Sequence, residues 1–124
     1  MSEKRGKLLV VHSHERARTA LLKILEAWGY EVDAAENGEE GLRKVRESRP
    51  HAIFCDLNSH GLPCLELLKA VRAEFPQIKF IITGTEMTCE HGKQLGASYC
   101  LRAPMAHSEL VAALSHCLGH SPSD

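Results

Sequence analysis

Runs rich in apolar residues alternate along the chain with longer stretches in which apolar side chains recur every three or four positions. The runs are Leu8–Val11, Tyr30–Ala34, Ala52–Cys55, Ile78–Ile82 and Tyr99–Leu101. Short apolar runs are what strands buried on both faces require, and the helical period between them supplies covering helices. Leu21, Ile24, Leu25 and Trp28 form the first helical stripe, with Gly29 as its stop. Asn37-Gly38 predicts a turn into a helix carrying Leu42 and Val45, and Pro50 marks the entry to the third run. The third helix starts near Pro63, a residue suited to a first turn, and turns Leu67, Leu68 and Val71 inward. Pro76 separates it from the fourth run.

From Thr83 to Leu95 the only large apolar residues are Met87 and Leu95, and Gly92 lies between them, which predicts a short or frayed helix. Gly96-Ala97 leads into the fifth run, and after Pro104 a last helix turns Leu110, Val111, Leu114 and Leu118 inward. Five such βα units predict an α/β fold, a doubly wound (βα)5 sandwich around a five-stranded parallel sheet. Right-handed crossovers put its functional crevice at the carboxyl ends of the strands. The residues there are His12-Ser13-His14, Asp56-Leu57-Asn58, Thr83-Gly84-Thr85 and Arg102-Ala103-Pro104. Residues 1–6 read as an N-terminal extension, 7–118 as one domain and 119–124 as a disordered tail.

The 124 residues, 44% apolar and 25% charged, can bury enough surface to fold without metal or disulfides. A formal net charge of −1 and the lack of a basic run argue against nucleic acid or an anionic membrane as partner. The apolar run behind the charged start is too short for a signal peptide or a membrane span, so the expected location is cytoplasmic. Five cysteines, Cys55, Cys64, Cys89, Cys100 and Cys117, form no Cys-x-x-Cys pair and read as free thiols.

Taken in order and spacing, Lys7–Val11, Trp28–Val32, Asn37–Gly41, Asp56-Leu57-Asn58 with Gly61-Leu62, Leu65–Leu68, Gly96-Ala97 and Pro104 resemble a receiver domain of the two-component response-regulator family. The resemblance spans residues 7–118. It implies a flavodoxin-like fold and a signalling module in a phosphorelay rather than an enzyme. Its partners would be proteins, a histidine kinase or a downstream target, and its partner face would be built from the last two strand-helix units.

The family pattern has an acidic pair after the first strand that holds Mg²⁺, a phosphoacceptor aspartate after the third, a hydroxyl after the fourth and a lysine before the proline after the fifth. Asp56 matches the phosphoacceptor, and the Asn58 carbonyl matches a metal ligand. The acidic pair falls on His12 and Ser13, which are poor hard-oxygen ligands for Mg²⁺, and the lysine falls on Ala103, followed by Pro104. The hydroxyl position falls on Gly84, with Thr83 or Thr85 able to serve if the loop shifts. The aromatic switch of the fifth strand maps to Cys100, while Tyr99 points to the opposite face.

Each lost electrostatic contact costs about 10²- to 10³-fold in phosphoryl transfer. The expectation is therefore an atypical pseudo-receiver with no cofactor, impaired in Mg²⁺-dependent phosphorylation and acting through protein–protein contacts. The alternative is phosphorylation at Asp56 with protonated His12 and Arg102 as substitute cations; a carboxylate neighbour would then raise the His12 pKa. Metal- or redox-sensing is the other class. His12, a weak metal candidate, could meet His14, Asp56, His60 or Cys64 at the crevice. His116 and His120 lie four apart but more simply complement a helix end. Cys89-Glu90-His91 reads as a solvated loop, Cys64 and Cys89 as the exposed thiols, and Cys55 and Cys100 as core residues.

Overall fold

The computed structural model describes residues 6–57, 61–102 and 107–119. Five strands alternate with five helices: β1 Lys7–Val11, α1 Glu15–Ala27, β2 Glu31–Ala35, α2 Gly38–Ser48, β3 Ala52–Asp56, α3 Gly61–Glu74, β4 Lys79–Gly84, α4 Glu86–Gln94, β5 Tyr99–Arg102 and α5 His107–Leu118. All strand pairings are parallel, in the order β2-β1-β3-β4-β5. This is the doubly wound flavodoxin-like arrangement that the run pattern predicts.

Alternation along each strand divides the core into two layers. Leu9, Val11, Ile53, Cys55, Phe80 and Ile82 meet α2 and α3 through Val45, Leu67, Leu68 and Val71. Leu8, Val10, Phe54, Ile81 and Leu101 meet α1 and α5 through Leu21, Leu25, Leu110 and Leu114. In α5 the fully covered positions are Leu110, Ala113, Leu114 and Cys117, whereas the predicted Val111 and Leu118 are only partly covered.

Local chemistry sets the helix ends. Gly29 adopts φ 95°, a left-handed conformation cheap for glycine, and the chain turns there into β2. The Asn37 side chain accepts the Glu40 N–H at 2.9 Å, so the expected turn residue is the N-cap of α2. Along edge strand β2, exposed Glu31 and Asp33 alternate with more covered residues, and Lys44 of α2 donates to Asp33 Oδ1 at 3.1 Å and to the Ala34 carbonyl at 2.5 Å.

The weakly apolar segment after β4 folds into the nine-residue α4. Thr85 and Thr88 form a reciprocal capping box at its start. Gly92 does not fray this helix but seats it, since a Cβ there would collide with Cδ1 of the fully buried Ile82. Close approach to the sheet thus replaces the missing large side chains.

Gly92→Ala should lower unfolding stability by about 1 kcal/mol or more in urea titrations, because overpacking outweighs the helix-propensity gain of alanine. Ile82→Val removes the offending methyl, so Gly92→Ala should cost less in that background. A neutral or stabilising Gly92→Ala would refute the packing role.

Candidate functional site

Asp56 ends the central strand β3, between β1 and β4. The register pairs Val11 with Cys55 and Asp56 with Thr83, so the ends of β1, β3 and β4 stand level. The ladders continue past the strand ends: Leu57 N–H donates to the Thr83 carbonyl at 2.8 Å and His12 N–H to the Ala35 carbonyl at 3.0 Å. Parallel pairing therefore brings His12, Asp56 and Thr83 together from positions far apart in the chain.

Both carboxylate oxygens of Asp56 are engaged. The Thr83 hydroxyl donates to Oδ1 at 2.7 Å, and His12 Nε2 lies 3.2 Å from Oδ2. The other imidazole nitrogen, Nδ1, accepts the His14 backbone N–H at 3.1 Å. A nitrogen that accepts carries no proton, so the ring proton is on Nε2 and points at Asp56. Protonating Nδ1 would set two donors against each other.

Electrostatics agree with that tautomer. The His12 pKa is lowered, chiefly by burial; the Asp56 charge pulls it up, while His14 and Arg18 push it further down. The sequence-based expectation of a raised pKa is thus corrected, because removal of the ring from water outweighs one carboxylate neighbour. At neutral pH the lowered pKa favours the neutral ring, which can donate from Nε2 to Asp56.

Thr83, not Gly84 or Thr85, supplies the hydroxyl. Thr85 is committed to capping α4, and a Cβ on Gly84 would collide with the Thr88 hydroxyl, so glycine is needed for the capping box to close over the strand end. Ser13 is half-buried just beyond His12. Asn58, Ala103, Pro104 and the histidines His60 and His120 lie outside the described residues, as do residues 1–5 and most of the expected tail. Arg102 ends β5 opposite Gly84 and lines a cleft along α4.

Arg18 is the site residue that strand-end reasoning misses. From α1 it reaches back, donating to the His12 carbonyl at 2.8 Å and lying 3.8 Å from Glu36. It sits on a helix with other charged residues, and nothing in its spacing marks it out.

Magnesium prefers hard oxygen ligands. The end of β1 presents instead an imidazole N–H and a serine hydroxyl, and the donor side of His12 already faces Asp56 Oδ2. Among the described residues no three His, Cys, Asp or Glu side chains cluster to hold a metal ion. The His12–Asp56 pairing envisaged for a metal forms, but as a hydrogen bond, and the His14 ring stands 5.7 Å from that of His12. The His116 ring of α5 lies tilted against that of Tyr99, with centroids 5.5 Å apart.

The cysteines, read from the sequence as free thiols, fall into two close pairs: Cys55 with Cys64, Cα atoms 6.2 Å apart, and Cys89 with Cys100, Cα atoms 5.5 Å apart. Both separations suit a disulfide. Cys64 and Cys89, expected on or beside loops, are buried in α3 and α4. Cys117 has no such neighbour, and it too is buried.

The model of the response regulator receiver domain matches residues 8–115. The chain is 31% identical to the transcriptional regulatory protein ZraR of Klebsiella oxytoca over 98% of its length, and 32% identical to a CpxR homolog of Haemophilus influenzae over 95%. It spans 28% and 52% of those two proteins. The chemotaxis response regulator CheY4 of Vibrio cholerae superposes with a TM-score of 0.81 at 26% identity, over 94% of this chain and 99% of that one. No helix among the described residues is long and apolar enough to cross a membrane.

Protonation of His12 must break its contact with the His14 amide, so folding favours the neutral ring. Because its folded pKa lies below the unfolded value of about 6.5, the unfolded chain binds more protons between the two values. The resulting stability is complete above that unfolded value and is lost as pH falls through the window toward the folded pKa. His12→Gln should show a shallower loss of unfolding free energy below neutrality than the parent. Equal slopes would show that His12 does not contribute.

Proposed function

Because the chain belongs to the response regulator receiver domain family, we propose that it is a signalling module whose pocket has exchanged metal-dependent phosphorylation for a fixed hydrogen-bond network, and that it works by binding a protein partner. Receiver domains interact with kinases and with downstream effectors, and both remain the partner classes here. The observation that carries this reading is the neutral His12 ring donating to Asp56 Oδ2 while its other nitrogen accepts the His14 amide.

A carboxylate attacking a phosphoryl group must approach another anion, and the rate depends on cations that neutralise both. At the β1 end of this pocket the partner of Asp56 carries no charge at neutral pH, because burial holds the His12 pKa down. An imidazole N–H stabilises the resting carboxylate instead, and Thr83 does the same from the other side. In sequence, alanine stands where the family has a lysine. Each of these changes favours the unmodified aspartate over its phosphorylated form.

With phosphorylation of Asp56 no longer the signal, the module is constitutively available to its partner. The relatives named as transcriptional regulators are longer than this chain. Coupling to an output, in the same polypeptide or another, would follow the same logic of a receiver held in one state.

Incubation with a small acyl phosphate and Mg²⁺, followed by intact mass measurement, should leave the protein unmodified. The triple variant His12→Asp, Ser13→Asp, Ala103→Lys should gain a phosphoryl group that the further change Asp56→Asn removes. Stoichiometric phosphorylation of the parent protein, abolished by Asp56→Asn, would overturn the reading.

A further inference from the structure

The five cysteines fall into three environments. Cys55 and Cys64 are both buried, at 3% and 2% exposure, beneath α3, and Cys117 is buried under α5 with its thiol pKa pushed up by that burial. Buried apolar surroundings make thiols inert. The Cys89–Cys100 pair differs not in the burial of Cys89, which is 5% exposed, but in its place: Cys89 borders an open cleft along α4, together with Met87, Glu90, Lys93 and Arg102, and Cys100 is only partly covered.

Several features favour thiolate chemistry at this pair. Cys89 lies in the first turns of α4, toward the positive end of the helix dipole. Lys93 is one helical turn further along the same face, and Arg102 lies two residues beyond Cys100 on the same face of β5. Glu90 is the opposing charge on the cleft. With Cα atoms 5.5 Å apart, the two sulfurs can bond without moving the backbone.

We propose that Cys89 and Cys100 form a reversible dithiol–disulfide site, oxidised by a small hydroperoxide and reduced by a small thiol, that staples α4 to β5. The Cys89 thiolate attacks a peroxide oxygen; the O–O bond breaks, an alcohol or water leaves after taking up a proton, and Cys89 becomes a sulfenic acid. The Cys100 sulfur then attacks the Cys89 sulfur, the S–S bond forms, the S–O bond breaks and water departs with the Cys100 proton. Two thiols thereby lose two electrons to one hydroperoxide. Two equivalents of a thiol such as glutathione reverse the bond by exchange.

The staple ties the helix that is held by few large side chains to the adjacent strand. Oxidation therefore rigidifies α4 and reduction frees it. Any effect on a partner at this face rests on the receiver reading above; the sulfur chemistry does not, and the test reads sulfur and backbone only.

The reduced protein is treated with hydrogen peroxide, alkylated under denaturing conditions and mapped by mass spectrometry. The expected result is loss of two hydrogens, a crosslink between Cys89 and Cys100, and return to the dithiol in excess glutathione. Cys100→Ser should abolish the crosslink and leave Cys89 as a sulfenic acid trapped by dimedone; Cys89→Ala tests the same bond from the helix side. Amide exchange in residues 86–94 should slow on oxidation by on the order of tenfold. The proposal is overturned if oxidation links only Cys55 and Cys64, if the Cys89–Cys100 bond resists glutathione in the folded protein, or if α4 exchange is unchanged.

Discussion

The level register of three parallel strands is the constraint on which the site depends. Because β3 pairs with β1 on one side and β4 on the other, Asp56 can stand only beside the residues that leave those strands. Shifting one strand by a single residue would swap the side chains of its two buried layers, so the hydrophobic pattern that folds the sheet also sets the pocket geometry. Two packed layers of apolar side chains thus hold a few polar atoms within hydrogen-bonding distance of each other.

That placement gives the histidine its role. In water an imidazole beside a carboxylate would gain a proton more easily, yet here the cost of burying charge prevails. The backbone amide of His14 reinforces this by occupying the ring nitrogen that would have to be protonated. Arg18 adds positive potential from α1 while anchoring the His12 carbonyl. Local loop geometry and long-range charge therefore favour the same neutral state.

Much of the fold was legible because strand runs and helical stripes are periodic and the parallel sheet leaves few ways to connect them. Asp56 was legible for the same reason, as a lone carboxylate after the central strand. The protonation of His12 was not, since its balance depends on desolvation and on an amide two residues away, neither visible as a pattern. Thr83 could be separated from Thr85 only once the capping box had claimed the latter. The cysteine pairs were hidden too: separations of nine and eleven residues become short only when a helix folds back on its strand. Gly92 resembled a helix breaker because sequence alone does not reveal how closely two backbones pass.

Edge strand β2 has a consequence for how copies of the molecule meet. A strand added along it would approach the exposed carboxylates of Glu31 and Asp33 and compete with the Lys44 contact to Asp33. Charges at an open edge are a recognised guard against intermolecular β-pairing and fibril growth. On this flank the sheet is guarded against templating its own aggregation.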